Sequence, residues 1–472
     1  MHYKSAHFIG IAGAGMSAVA KLMRDSGTAI TGSDEAVYPP ISTLLEKENI
    51  PFKIPYNAGN IPNDVELIVI GKNAKLVPET NEEVAAAYAS GKKILSFPEV
   101  LGEMSEGKEN LVVVGSYGKS TSTALLAHCL QTAGIDPSFF IGASPLSPTT
   151  NASIGNGNVF VMEGDEYPSS NTDPRSKFLH LHPSHLLVTP LAHDHVNIFA
   201  TPEDYIQPFI DLVRLVPQEN TVVVCTSGVL SSEYISTCRS MREVVTYGVH
   251  EGDYTASNIQ WGEHTTFTIN YLGIPLVDVE MSQLGEHNIE NVVGVAALLF
   301  SRKLITPEVF AQAVGTFKGI KRRLDRKSEK TSIPIFEGFG SSHEKAKSAI
   351  AAMKRHFPQR RLIIIFEPHT FSWRNRDALP WYDDVFDGAS WVLVYEPASQ
   401  GHDTHKQSTH EEIVERVRRA GIDTEAITEE SQALALLEQK LQVNDCILLL
   451  SSGNLGGLIE SVPKLAEQKF PN

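Results

Sequence analysis

The chain has 472 residues, 42% of them hydrophobic and 20% charged, and a formal net charge of −16. At about 100–200 residues per domain this length predicts about three domains, each able to bury a core without disulfide or metal staples. An acidic balance of this size argues against nucleic acid or an anionic membrane as partner. Any anionic ligand must then be held by local devices: loop amides, helix N-termini and a few placed cations.

The four cysteines, Cys129, Cys225, Cys238 and Cys446, form no C-x-x-C or zinc spacing, and Cys129 and Cys446 sit in apolar runs as small buried hydrophobes do. The N-terminus runs directly into a strand-like segment and a glycine loop, with no secretory pattern. No stretch reaches the ~20 apolar residues of a membrane span, which predicts a cytoplasmic protein.

Taken in chain order, three strand–loop–helix units are predicted. The first runs from Ala6 to Arg24: the strand His7-Phe8-Ile9, a loop with Gly10, Gly13 and Gly15, then a helix. The second runs from Asn110 to Gly134: the strand Leu111-Val112-Val113-Val114, the loop Gly115-Ser116-Tyr117-Gly118, and a helix opened by Lys119. The third begins at Leu362-Ile363-Ile364-Ile365-Phe366. Apolar runs of this length, each followed by a helix, predict parallel sheets covered on both faces, hence an α/β protein. Residues 221–279 read as β-rich. The polar stretches at 105–109 and 326–331 predict domains over 1–107, 108–326 and 327–472.

The segment Gly115-Ser116-Tyr117-Gly118-Lys119-Ser120-Thr121 follows a buried strand and opens a helix. Its amides suit a triphosphate, Lys119 the terminal phosphates and the Ser120 hydroxyl a Mg²⁺ ion, although the spacing is shorter than the full phosphate-loop pattern. A plain glycine turn with an exposed lysine is the alternative. The strand Phe160-Val161-Met162 ends in Glu163, Asp165 and Glu166, either a solvated acidic turn or a Mg²⁺ holder beside the phosphate loop. A further strand, Leu186-Leu187-Val188, runs into His193-Asp194-His195, candidates for metal or phosphate set against ordinary structural histidines.

Gly285-Glu286-His287-Asn288-Ile289-Glu290-Asn291 opens another helix, where the asparagines either cap it or read an adenine edge. The basic cluster Lys318 to Arg323 is either a solvated face or a pair of arginines reaching phosphate or ribose. The loop Gly10-Ile11-Ala12-Gly13-Ala14-Gly15, with Ser33-Asp34 after the second strand, has the look of a dinucleotide fingerprint. Nothing else in the chain supports hydride transfer.

In this order, over essentially the whole chain, these segments resemble the Mur ligase family. The resemblance implies an N-terminal Rossmann-like domain for a UDP-sugar, a central ATPase domain with extra β structure, and a C-terminal Rossmann-like domain for the incoming amine. It implies that Gly13, Ala14, Gly15, Met16 and Ser17, with Ser33 and Asp34, bind the UDP-sugar. Gly115, Ser116, Gly118, Lys119, Ser120 and Thr121 would hold ATP, with His287, Asn288 and Asn291 at the adenine and Arg323 at ribose or phosphate. Lys119, Glu163 and His195 would be catalytic, and Ser120, Glu163 and His195 would hold Mg²⁺.

Within the family, Met16-Ser17 resembles the branch acting on UDP-N-acetylmuramate itself. Two activities compete there. One adds L-alanine. The other re-attaches a recycled murein tripeptide, L-Ala-γ-D-Glu-meso-diaminopimelate, and the segments Val37–Leu45 and Arg175-Ser176-Lys177-Phe178 lean towards it. The expected protein is a monomer or weak dimer.

One motif departs from the family. Where an Asp-Asp-x-x-His-His-Pro segment is expected, the chain reads Glu337-Gly338-Phe339-Gly340-Ser341-Ser342-His343. Glycine offers no carboxylate, so either Glu337, His343 or Glu344 substitutes or ATP is held less well, and a catalytically degenerate binding protein becomes the second reading. Arg374, Arg376, His402 and Asn454 are the acceptor-site candidates. The late loop Ser451–Gly457 reads equally well as a family glycine loop or a plain strand–helix turn.

Overall fold

The computed structural model describes residues 3–39, 41–195, 198–397 and 407–472. Pro40, within the Val37–Leu45 segment, and His402 lie outside the described residues. Among those described the chain is α/β, with three sheets. It divides into two units: Met1–Asn258 with Phe267–Glu280 and Glu286–Phe317, and Ile259–Thr266 with Met281–Gly285 and Lys318–Asn472.

In the first unit, one sheet has five parallel strands in the order Phe52–Lys53, Ala29–Ser33, Ser5–Ile9, Leu67–Ile70, Lys93–Leu95. The chain order therefore reverses between the central strand Ser5–Ile9 and Leu67–Ile70. In such sheets ligands bind outside the carboxyl ends of the strands where the order reverses. The loop after Ile9 carries Gly10, in the left-handed region at φ +87, and the loop after Ile70 carries Gly71 and Lys72.

The second sheet has ten strands: Ile274–Met281, Thr265–Tyr271, Tyr254–Gln260, Val245–Tyr247, Val222–Cys225, His185–Val188, Glu109–Val114, Val159–Glu163, Ser138–Phe140 and Ala152–Ser153, in that order. Its central strands pair in parallel. Glu109–Val114 is flanked by His185–Val188 on one side and Val159–Glu163 on the other, in a register that sets Val114 beside Val188 and Val113 beside Glu163. Leu111, Val112, Val113 and Val114 are fully buried, as a strand covered on both faces requires. The helix Lys119–Thr132 is buried along nearly its whole length, and Ala133 and Gly134 (φ +75) end it as expected.

The second unit contains a six-stranded sheet in the order Arg323–Arg326, Ile335–Gly338, Asp445–Leu450, Arg361–Phe366, Trp391–Tyr395, Thr424–Ile427, parallel except for its first pair. Its two faces are filled by separate apolar clusters, one around Trp373, Phe366 and Tyr382 and the other around Trp391, Leu449 and Leu458.

All four cysteines are buried free thiols. Burial pushes Cys225 and Cys446 up to about 12 and Cys238 up to about 11, so at neutral pH they are packing groups and not nucleophiles. Among the described residues no helix is long and apolar enough to cross a membrane.

Candidate active site

Three parallel strands deliver the site. Because Val159–Glu163 and His185–Val188 flank the strand that feeds the glycine loop, Glu163 and the 189–195 segment emerge at the same sheet edge as Gly115–Lys119. The loop uses glycine where geometry requires it. Gly115 has φ +136, and a Cβ there would lie 2.7 Å from the Thr189 carbonyl oxygen. Gly118 has φ +84, and a Cβ there would overlap Asn291 Oδ1. The Ser116 amide donates to the Pro190 carbonyl at 2.9 Å. Its hydroxyl lies 2.8 Å from Ala192 O and from the Tyr205 hydroxyl, which pins the loop to the 189–195 segment.

Lys119 donates to Glu166 Oε2 at 2.9 Å and to the Gly115 carbonyl at 2.5 Å. Ser120 Oγ donates to Glu163 Oε1 at 2.7 Å, and the Gly142 amide donates to Glu163 Oε2 at 2.6 Å. A hydroxyl and a carboxylate side by side form a hard oxygen donor set that fits Mg²⁺, which keeps several of its own waters and needs few protein ligands. His195 does not join that pair. Its Nε2 lies 3.0 Å from Glu166 Oε1 and its Nδ1 2.8 Å from the Tyr167 hydroxyl, so both ring nitrogens are engaged elsewhere. Among the described residues no group of three His, Cys, Asp or Glu side chains is assembled for a metal. His195 also holds a left-handed backbone, φ +55, a strained setting for a non-glycine residue. His193 is a structural histidine, its Nε2 2.9 Å from the Phe199 carbonyl.

These groups open onto a cavity of about 350 Å³. It is lined by Lys119, Glu163, Glu166, Tyr167 and His195 from the phosphate-loop side, by Gly15 and Phe97, and by Asp165 and Lys177. The helix Ala14–Asp25 begins at this cavity, with Gly13 as an uncapped N-cap and no acidic residue in its first turn, so its free amides suit an anion. A Cβ on Gly15 would come within 3.1 Å of the Phe97 ring. Met16 and Ser17 are buried, and Ser17 Oγ donates to the Ala14 carbonyl at 3.1 Å. What they offer a ligand is therefore helix backbone, not side chain.

Asp34 accepts from the Ala12 amide at 2.8 Å and from Tyr56 OH at 3.0 Å, bracing the glycine loop. Ser33 is fully buried and donates to Glu83 at 2.6 Å. This serine, expected at the substrate, instead points into the sheet, because the last residue of its strand faces the helix that carries Glu83.

The helix Glu286–Ser301 sits beneath the phosphate loop. Asn291 Oδ1 accepts from Ser122 Oγ at 3.2 Å, and its amide nitrogen donates to Asn288 Oδ1 at 3.2 Å. Asn288 and Asn291 are buried and His287 is exposed. Thr121 is buried beside the loop.

Arg323 belongs to the second unit, exposed at the start of an edge strand. Its neighbour Arg322 is the engaged one, with Nε 3.0 Å from Glu337 Oε1 and a hydrogen bond to the Ser451 carbonyl at 3.1 Å. Glu337 also pairs with Lys327 at 2.7 Å, and His343 Nε2 lies 2.8 Å from Asp384. Of the three residues offered as stand-ins for the missing aspartate, Glu337 and His343 are thus committed within their own unit, and Glu344 is a solvent-exposed side chain 3.2 Å from His343 Nδ1. At the carboxyl end of that unit's central strands, Glu367 accepts from Ser451 Oγ at 2.5 Å and from the Leu455 amide at 3.1 Å, with His369 Nδ1 3.2 Å away. Arg374 is buried and Arg376 pairs with Glu412 at 2.9 Å. Asn454 accepts from the Gly456 amide at 3.2 Å, holding the late glycine loop.

Glu166 and Lys177 each carry an ion pair with a lysine or carboxylate of the cavity lining; the sequence offers Glu166 only as one of three carboxylates for Mg²⁺, not as the partner of Lys119, and assigns Lys177 no site role. The only available signal was an acidic turn followed by a basic residue on a return segment.

A glycine loop around a helix N-terminus, a lysine in the first turn and a hydroxyl–carboxylate pair on the next strand define a phosphate-loop α/β enzyme. The model of the Mur ligase middle domain matches residues 113–299, and that of the Mur ligase family, catalytic domain, matches residues 5–109. The UDP-N-acetylmuramate–L-alanine ligase of Endomicrobium trichonymphae is 28% identical over 95% of this chain and 96% of its own length. That of Sorangium cellulosum is 28% identical over 98% and 97%.

Among solved structures, the UDP-N-acetylmuramate–alanine ligase of Thermotoga maritima has the same fold, with a TM-score of 0.74, 24% identity and 99% of both chains covered. A murein peptide ligase from Neisseria meningitides is 29% identical over 68% of this chain and 100% of that one, with a TM-score of 0.61. The chain belongs to the Mur ligase family, whose members are ATP-dependent amide- and peptide-forming ligases.

Proposed function

We propose that this ligase activates the lactyl carboxylate of UDP-N-acetylmuramate with ATP and joins it to the α-amine of L-alanine, in cytoplasmic peptidoglycan synthesis. The observation that carries the reading is the shared cavity. Gly15, at the start of the N-terminal helix, and Lys119 and Glu163, at the phosphate loop, line one space, so a nucleotide sugar and ATP can meet there. In this reading residues 1–107 hold the UDP-sugar, 108–326 hold ATP and 327–472 receive the acceptor.

The carboxylate oxygen attacks the γ-phosphorus, the bond to ADP breaks, and an acyl phosphate forms. The acceptor amine then attacks the acyl carbon, loses a proton, and inorganic phosphate leaves. Bound Mg²⁺ neutralises phosphate charge. Ser120 and Glu163 would hold it, while Lys119 exchanges Glu166 for the ATP phosphates. His287, Asn288 and Asn291 would face the adenine, and Arg323 the ribose or a phosphate. Asp34 braces the loop that receives the UDP-sugar.

The L-alanine activity of the curated relatives favours that acceptor. The peptide-adding activity expected from the sequence has narrower support: the Arg175–Phe178 segment and the 29% identity to the Neisseria enzyme. ADP release from Mg-ATP and UDP-N-acetylmuramate, with L-alanine or the tripeptide as acceptor, separates the two. Faster turnover with L-alanine is expected. Preference for the tripeptide would establish the recycling activity instead, and silence with both would leave a nucleotide or UDP-sugar binder.

A further inference from the structure

Lys119 and Lys177 both line the cavity, and each is paired with a carboxylate, Lys119 with Glu166 and Lys177 with Asp165 at 2.5 Å. The two pairs differ in wetness. Glu166 is 3% exposed, whereas Asp165 is 41% exposed, with its other oxygen accepting from the Tyr167 amide at 3.0 Å, so Asp165 is the counterion that water can solvate in place of Lys177 without leaving its turn. Lys177 itself is 17% exposed, and its ammonium lies 5.4 Å from the centre of the Phe97 ring and 5.7 Å from that of Tyr167. Ring faces stabilise the cation without supplying a competing anion.

The base of this lysine is fixed. Its amide donates to the Tyr167 carbonyl at 2.9 Å, and the Phe178 amide donates to that of Asp165 at 3.2 Å. Asn171, in the same segment, donates to the carbonyl oxygens of Asn73 and Leu76 at 2.8 and 2.9 Å, tying it to the loop that carries Lys72. Burial and the Lys177 charge both hold the Lys72 ammonium below the usual lysine range, and Asp165 only partly offsets them. Two ammonium groups thus face one displaceable carboxylate, and this corner of an acidic chain is short of an anion.

The reaction supplies one. A donor whose diphosphate lies on the amides at Gly15 must bring its lactyl carboxylate across the cavity to ATP at Lys119. The route is lined by Glu163, Asp165 and Glu166, which repel it. With Lys119 given over to ATP, Lys177 is the lining cation left to receive the carboxylate. We propose that Lys177 takes the lactyl carboxylate from solvent in exchange for Asp165, and so makes the site selective for a muramoyl over a glucosaminyl nucleotide. This rests on UDP-N-acetylmuramate being the donor.

The test is calorimetric titration of the full-length protein, saturated with Mg²⁺ and a non-hydrolysable ATP analogue, with UDP-N-acetylmuramate and with UDP-N-acetylglucosamine, which lacks the lactyl carboxylate. The native protein is expected to prefer the muramoyl nucleotide. Lys177→Met should reduce that preference by about tenfold or more, the fold-change of one charge-assisted hydrogen bond, while leaving UDP-N-acetylglucosamine affinity within about twofold. Lys177→Arg should restore much of it. Retained binding of the glucosaminyl nucleotide also reports an intact fold. Equal weakening of both ligands, or an unchanged preference, overturns the assignment. A native protein that binds both nucleotides equally overturns the donor reading, and the role of Lys177 with it.

Discussion

Gly118→Ala tests how the phosphate loop is built. The residue has φ +84, where a side chain costs about 1–2 kcal/mol. The new Cβ would also overlap Asn291 Oδ1 and come within 3.4 Å of Asn291 Cγ. Asn291 would have to move, giving up its hydrogen bonds to Ser122 and Asn288, at about 1 kcal/mol each. The summed loss is about 3–4 kcal/mol, read as a shift in urea midpoint. In the Asn291→Ala background the overlap is already gone, so Gly118→Ala should cost only the backbone part, about 1–2 kcal/mol. If the glycine substitution costs the same with and without Asn291, the close approach is not what selects glycine here, and the reasoning fails.

Glu83→Gln probes the buried carboxylate of the first sheet. Burial opposes its ionisation, but hydrogen bonds from His7, Ser33, the Asn57 amide and Asn60 outweigh burial and hold it below the usual glutamate range. Its stabilising contribution is therefore fully present above its unfolded value of about 4.3 and is lost as pH falls through the lower folded value. Unfolding free energy measured from neutral pH down to about pH 3 should fall less steeply with acid in Glu83→Gln than in the native protein, and identical slopes would count against the network. Lys119→Ala should abolish ADP release while circular dichroism and the thermal midpoint stay near native. Near-normal turnover in the folded variant would remove Lys119 from phosphate handling.

What could be read from the sequence is what is local in it. The phosphate loop sits between an apolar run and a helix within a dozen or so residues, so strand, loop and helix all announce themselves. Glu163 was legible because it ends a strand predicted to lie in the same sheet. Glu166 is legible only as a member of the same acidic turn; its role is not, because its two partners, Lys119 and His195, lie 47 residues before it and on a different strand's exit loop. Lys177 stands out in the sequence only through a segment that resembles one branch of the family. Its stacking on Phe97 depends on a helix 80 residues upstream that no spacing rule connects to it. Strand alternation separates Ser33 from Asp34, which the sequence groups together: Ser33 faces Glu83, while Asp34 braces the loop. Arg322 and Arg323 are chemically identical neighbours, and only the fold distinguishes the one engaged with Glu337 from the exposed one.

The Asn171 clasp has a consequence for how this site can evolve. Its side-chain amide is addressed to peptide oxygens, those of Asn73 and Leu76, and among the described residues to no side chain. Almost any residue offers the same oxygen at those positions. The loop after the fourth strand is thus free to drift in sequence while staying at a constant distance from the segment that ends in Lys177. A lineage could exchange Lys72, or the residues around it, to suit a different donor sugar without first redesigning the clasp that holds them. Asn171 itself has no such freedom, since no shorter or apolar side chain can span that gap with two donors.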